Sequence, residues 1–422
     1  MKQIRTTTRR RLTKGLAFAV ASPWVAPTLA QSNKPLVIAL SIAQSGTAGV
    51  ADHADYLNGA TLAVKEINAA GGVKGRQLKI QTYDIDLLTP EGTQATFRKI
   101  ADAKPHAIGT AFCVIPLPSF DGLGSYKAPY LHGSTQQNCI DVVKANRQKY
   151  SHIFQVDPPE TFYGLMFPKF LDALAASGTW KPINNKVHIV QEQSAYNQTI
   201  SKNVQKALPD SKFVLGKVTD IQFPVQDWGP VMQDIKRVGA GVIMIDHWVG
   251  SEEAAFCHQF IADPVKGALV YHQYGPSQPE FLQLAGKAAE GFIWSTVLGV
   301  YNDKQGAEFR KKYAAAHPGI IGLCYTGSAY DTMYILKNAW SAVDPEDFKG
   351  VCDYIRTHTY RGVTGAISLD NEYQAALHYP LQTTDLEKGM AQLFFQVQDG
   401  QHKIIAPDVL SEVKFRAAPW MT

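Results

Sequence analysis

Residues 31–422 contain no GxSxG elbow, no Walker A loop and no GxGxxG fingerprint. The local signatures of a serine hydrolase, a phosphate-binding NTPase and a dinucleotide enzyme are therefore missing. The histidines, His53, His247, His258 and His272 among them, lack a spacing such as HExxH. With no CxxC or clustered His/Cys set either, neither a metal nor any other cofactor has support. Charged residues are 18% of the chain and hydrophobic ones 45%, without a low-complexity tract, which is the composition of a folded globular protein. The formal charge of +4 is a property of the first thirty residues, which hold Lys2, Arg5, Arg9, Arg10, Arg11 and Lys14 and no acid. Subtracting those six leaves −2. A chain so near neutrality has no electrostatic footprint for nucleic acid and no polybasic stretch for a membrane surface.

The start of the chain has a different character. A basic stretch precedes the apolar run Leu16–Ala21, and small residues follow up to Thr28-Leu29-Ala30. This is the signal-peptide pattern, with cleavage expected between Ala30 and Gln31. A transmembrane anchor would need about 20 apolar residues, and Pro23 and Pro27 interrupt this run. Thr8-Arg9-Arg10-Arg11-Leu12-Thr13-Lys14 resembles a twin-arginine signal, although basic leaders of the ordinary route look similar. No Cys stands at the cleavage site, so a lipid anchor is not expected, and no later segment is long and apolar enough to span a bilayer. The expected location is the periplasm.

The remainder alternates strands and helices. A buried strand is expected at Leu36–Leu40 and further strands at Leu78–Asp84, Ala107–Ala111 and near Pro129–His132, with helices at Asn58–Ala69 and Pro90–Ala103. Gly71-Gly72 is a helix stop. After Gln155-Val156-Asp157-Pro158-Pro159 the alternation restarts, with strands at Lys186–Val190, Lys212–Thr219, Gly241–Ile245, Ala268–His272 and Gly291–Thr296. Helices are expected at Asn197–Ala207, Trp228–Val238 and Glu252–Ile261, then a helical return over 307–357 and a closing β segment from Gly365. Two such α/β sets, at 422 residues, predict two doubly wound lobes that exchange chain more than once. Cys113 and Cys139 end neighbouring strands in this scheme, and Cys324 and Cys352 lie on consecutive helices. Two disulfides leaving Cys257 free, or five buried thiols, both fit an exported chain.

Ligands of such sheets lie outside the carboxyl ends of the strands. Those ends carry Gln44-Ser45-Gly46-Thr47, Phe112-Cys113, Gly133-Ser134-Thr135, Ser194-Ala195-Tyr196, His247-Trp248 and Tyr274-Gly275. Hydroxyls, amides, glycines and aromatics of this kind suit a small, partly apolar ligand. The candidate ligand-binding residues are Gln44, Ser45, Phe112, Cys113, Gly133, Ser134, Thr135, Tyr196, Trp248 and Tyr274. Asp84 and Asp86 pair as acids, but after a strand they are expected to cap a turn or a helix.

Asn58-Gly59-Ala60 with Glu66-Ile67-Asn68-Ala69-Ala70-Gly71-Gly72-Val73-Lys74-Gly75-Arg76 resembles the first helix and turn of the leucine/isoleucine/valine-type periplasmic binding proteins. Tyr83-Asp84 with Pro90, Ala107-Ile108-Gly109, Ala285 through Gly291, and Tyr325 through Tyr330-Asp331 follow the same template in order. The resemblance implies a type I periplasmic-binding fold, α/β, with two lobes joined by three hinge strands and a ligand in the cleft. It implies lobe one at 31–155 and 298–365, and lobe two at 156–297 and 366–422, after the leader 1–30. It further implies a monomeric, non-enzymatic substrate-binding protein that closes on a small molecule and docks on an inner-membrane ABC permease.

Two positions depart from the amino-acid binders of that family. Val114 stands where a serine holds the ligand carboxylate, and Tyr274 stands where an acid pairs with the α-ammonium; Gly133-Ser134-Thr135 and Tyr196 match. A buried zwitterion without those partners is costly, so a carboxylic or aromatic acid or an amide is expected. The alternatives are a branched-chain amino-acid binder and a periplasmic sensor that reports occupancy to a signalling partner.

Overall fold

The computed structural model describes Met1, Gln3, residues 34–46, 48–320 and 322–422. The leader and its cleavage site lie outside the described residues, and so does Thr47. The chain from Pro35 to Thr422 forms one compact unit.

Its first part runs β1 (Leu36–Ile42), α1 (Val50–Ala69), β2 (Leu78–Asp84), α2 (Pro90–Ala103), β3 (Ala107–Thr110), α3 (Leu117–Leu123), β4 (Tyr130–His132), α4 (Gln137–Ala145) and β5 (Ile153–Gln155). The five strands form a parallel sheet in the order β2-β1-β3-β4-β5. β1, β3 and β4 are buried along nearly their whole length, as parallel strands covered by helices on both faces should be. Local chemistry sets the boundaries. Thr89 caps α2 by accepting the Gly92 N–H at 3.1 Å, with Pro90 at the first helical position. Gly72, at φ 73°, ends the turn after α1; a Cβ there would stand 2.1 Å from the Arg76 carbonyl oxygen. Asp84 and Asp86 are both capping residues. Asp84 accepts the Gln44 N–H and the Ser45 hydroxyl, and Asp86 accepts the Leu88 N–H and the Thr89 hydroxyl.

The second part runs α5 (Thr161–Ala176), β6 (Lys186–Glu192), α6 (Ala195–Ala207), β7 (Val214–Ile221), α7 (Gly229–Val238), β8 (Val242–Asp246), α8 (Gly250–Ala262), β9 (Leu269–His272), α9 (Glu280–Ala285) and β10 (Ile293–Thr296). A helical return follows as α10 (Lys304–Ala316), α11 (Tyr325–Ala342) and α12 (Phe348–Thr357). The chain closes with β11 (Tyr360–Gly362), β12 (Gly365–Ile367), β13 (Leu377–Tyr379), β14 (Gly389–Ala391), β15 (Leu393–Gln398) and β16 (Gln401–Ala406). The second sheet has the order β16-β15-β10-β9-β8-β6-β7, in which β15 alone is reversed, pairing antiparallel with both β10 and β16. α11 packs back on α1 so closely that a Cβ on Gly59 would lie 2.0 Å from the Thr326 carbonyl oxygen. Residues 374–376 run beside β5, where Gln155 donates its N–H to Gln374 and accepts that of Ala376, both at 3.0 Å. This stretch of the 366–422 segment therefore touches the first sheet.

One difference from the sequence reading has a physical cause. α1 starts at Val50, eight residues before Asn58, because Asp52, His53 and Asp55 are buried rather than solvated. Polar residues on the inner face hide the apolar period there. The five cysteines are buried free thiols, which is the second of the two readings left open.

Candidate functional site

The carboxyl ends of β3 and β4 in the first sheet and of β6, β8, β9 and β10 in the second surround one cavity. Its walls are Phe112, Val114, Ser134, Thr135, Gln136, Tyr163, Ser194, Tyr196, Trp248, Tyr274, Leu298 and Tyr325. The space measures about 500 Å³, including the part open to solvent, which suits a small organic molecule.

Six aromatic rings form most of the wall, and protein groups tie down their polar ends. Tyr325 donates its hydroxyl to the Gly133 carbonyl at 2.9 Å, and Trp248 donates its indole N–H to Glu192 at 3.0 Å. The Tyr274 hydroxyl bonds Asp52 at 2.9 Å, and the Tyr163 hydroxyl accepts the Val297 N–H at 3.2 Å. Anchored heads leave ring faces and edges for the ligand. Phe112 and Trp248, one from each sheet, meet edge to face with centroids 6.0 Å apart.

The free polar capacity on the wall is mostly donor. Ser134 Oγ accepts the Cys113 N–H at 3.3 Å and keeps its proton to give. The Tyr196 hydroxyl accepts from the Gln273 amide at 3.1 Å and likewise keeps its proton. α6 points its N-terminus at the cavity, with Ser194 capping the Asn197 N–H. First-turn N–H groups have no partner inside their helix and favour an electron-rich ligand atom. No Asp, Glu, Lys, Arg or His is among the described residues of the wall. Buried carboxyls behind the wall are held back from charge. Burial pushes Asp157 and Asp246 well above the carboxylate range and Glu160 up to about 8, where it accepts the Gln137 N–H at 2.6 Å.

Phe112, Ser134, Thr135, Tyr196, Trp248 and Tyr274, expected at strand ends, thus come together on one wall. Cys113 and Gly133 sit behind it: the Cys113 carbonyl accepts the Gln136 amide, and Gly133 packs against Tyr325, where a Cβ would come within 3.0 Å. Gln44 and Ser45 are exposed on the loop that Asp84 caps and are not among the described residues of the wall. Gln136, Tyr163, Leu298 and Tyr325 were missed as site residues. Tyr163 and Leu298 follow the crossings between the sheets, and Tyr325 opens a helix; only the crossings themselves could have signalled them.

The periplasmic binding protein family matches residues 35–389. The leucine-, isoleucine-, valine-, threonine- and alanine-binding protein of Pseudomonas aeruginosa is 20% identical over 79% of this chain and 86% of its own. Among solved structures, a putative branched-chain amino acid ABC transporter protein from Silicibacter pomeroyi is 27% identical, with a TM-score of 0.83 over 92% of this chain and all of that one. A solute-binding protein from R. palustris in complex with benzoate is 15% identical, with a TM-score of 0.70 over 92% of this chain and 99% of that one. Its likeness is one of fold. With its two wound sheets and the cavity between their strand ends, the chain belongs to the periplasmic binding protein family, the solute-binding components of ABC transporters.

Proposed function

We propose that this protein captures a small carboxylic acid, aromatic acid or amide that lacks an α-ammonium group, and hands it to an inner-membrane permease. The observation that carries this reading is the composition of the wall: aromatic faces, free donors and no acidic side chain. A carboxylate or carbonyl head is met by Ser134, Thr135, Tyr196 and the N-terminus of α6, and the rest of the solute lies among Phe112, Trp248 and Tyr274. An α-ammonium would find no carboxylate on the wall, and an unpaired buried cation is costly. The benzoate-bound relative is in keeping with this preference.

The lobes are proposed as 31–155 with 298–365 and 156–297 with 366–422, closing on the solute. Only a ligand that contacts both lobes shifts the population toward the closed form. The leader of residues 1–30 would take the chain to the periplasm, where it would act as a monomer. Native mass spectrometry of the purified protein, followed by denaturation and identification of any released molecule, tests the reading. An aromatic acid, aliphatic acid or amide is the expected result. A released branched-chain amino acid would overturn the ligand class, and an empty protein with no thermal shift across a broad solute panel would overturn solute capture.

A further inference from the structure

Asp52 lies in the first turn of α1, beside the first sheet, yet its side chain bonds residues that follow β9 of the second sheet. The Tyr274 hydroxyl meets Asp52 Oδ1 at 2.9 Å, and the Gln278 amide donates to Oδ2 at 2.7 Å. Gln278 is itself fixed, accepting the Gly250 N–H at 2.7 Å and donating to the Trp248 carbonyl at 3.1 Å. Asp52 is 3% exposed and is not on the cavity wall, whereas Tyr274 and Trp248 are. We propose that Asp52 is a positioning residue for solute capture: it fastens the two sheets together over the cavity and holds the Tyr274 ring against it without touching the solute. The proposal rests on the reading that the lobes open and close.

This fastening carries a proton linkage. Asp55 on the same helix, His53 beside it, Glu280 at the start of α9, Tyr274, and Cys324 and Tyr325 at the start of α11 are the titratable groups around Asp52. None supplies a positive charge, since burial holds His53 down at about 4. Burial raises Asp52 from 3.8 to about 7, while the bonds from Tyr274 and Gln278 pull the other way. An open cleft would return Asp52 to water and to its ordinary value. The closed form then binds the proton more tightly, so closure is favoured in full below about pH 4 and loses this contribution as pH rises through 7. Asp55 behaves differently, because its partners Tyr313 and Thr326 lie on α10 and α11, packed with α1, and closure leaves it buried.

The test measures the radius of gyration of the solute-free chain by small-angle X-ray scattering at pH 5 and pH 8. The wild type is expected to be more compact at pH 5, with a closed-to-open ratio on the order of tenfold or more above that at pH 8. Asp52→Asn is neutral at both pH values; its amide oxygen takes the Gln278 bond and its NH2 donates to the Tyr274 hydroxyl oxygen, so it should be compact at both. Asp52→Ala should be expanded at both. If Asp52→Ala fails to fold, Tyr274→Phe removes one of the two bonds and should be less compact than wild type at pH 5. A wild-type radius equal at both pH values, a pH response retained by Asp52→Asn, or a Tyr274→Phe radius matching wild type at pH 5 would overturn the proposal. No solute enters this measurement, so it stands or falls apart from the ligand class.

Discussion

The hydroxyl of Tyr163, in the first turn after the chain leaves the first sheet, accepts the N–H of Val297, the residue at which the chain leaves β10, at 3.2 Å. One side chain thus ties two crossings between the sheets and also turns its ring to the cavity wall. Tyr163→Phe keeps the ring and strips the partner from a buried N–H, which costs about 1–3 kcal/mol. A lowered melting temperature with unchanged far-UV circular dichroism is the expected result.

Asp331 plays a similar part at the turn between β11 and β12. It accepts the N–H groups of Val363 and Thr364, each at 2.9 Å, and the Thr364 hydroxyl at 2.6 Å. The turn it holds leaves no room for more, since a Cβ on Gly362 would come within 2.3 Å of either carboxylate oxygen. Asp331→Ala leaves three buried donors without an acceptor and should lose about 3 kcal/mol or more in urea denaturation. Asp331→Asn, which keeps one acceptor oxygen, should lose less.

Tyr196 offers the cavity a proton that no group among the described residues takes, while its oxygen accepts from Gln273. Tyr196→Phe should weaken the solute that copurifies with the protein by roughly tenfold, the worth of one hydrogen bond to a charged or polar head. Isothermal titration calorimetry with that solute checks it, and an unchanged dissociation constant would remove Tyr196 from the proposed contacts.

How far the sequence could be read follows from where the information sits. Parallel strands such as Val242–Asp246 are apolar on both faces, and helix stops such as Gly71-Gly72 are local, so the sheets and their order of elements were legible. The rule that ligands meet strand ends pointed to Ser134, Tyr196, Trp248 and Tyr274, which line one cavity. Gln44 and Ser45 are not on its wall, and their loop is tied to Asp84 by hydrogen bonds that no periodicity encodes. The rule could not reach Tyr325, which arrives from a helix some 190 residues beyond its partner Gly133. The first turn of α1 was lost because Asp52 and Asp55 look like solvated residues until the second sheet and α10 are brought against them.

Stability should fall as pH rises above neutral. Burial raises Asp55 to about 7, Glu160 to about 8 and Asp331 to about 6, all above their unfolded values near 4. Each therefore contributes stability below its unfolded value that is lost as pH rises through the folded one. Buried histidines run the other way: His53 falls to about 4, and His132 and His272 to about 3, so their contribution is present above 6.5 and lost as pH drops. The two sets oppose each other between pH 4 and 6.5, while only the carboxyls act between 6.5 and 8. The melting temperature should fall from pH 6.5 to pH 8.5, and scanning calorimetry across that range checks the sign.

The thiols give the last expectation. Cys113, Cys139, Cys257, Cys324 and Cys352 are all free and buried. Burial raises each thiol, to about 12 for Cys113 and Cys352 and well above the ordinary value for Cys139 and Cys257. Cys257 lies 3.5 Å from His272, an arrangement that activates a thiol when the imidazole can charge. Here burial keeps His272 neutral, and Cys257 has no exposed surface. The native protein should therefore be silent to an aromatic disulfide reagent, and all five thiols should react once guanidinium unfolds it without reductant. Three thiols in that second titration would mean that one bridge, Cys113–Cys139 or Cys324–Cys352, forms where the protein is exposed to an oxidising compartment, and a single thiol would mean both.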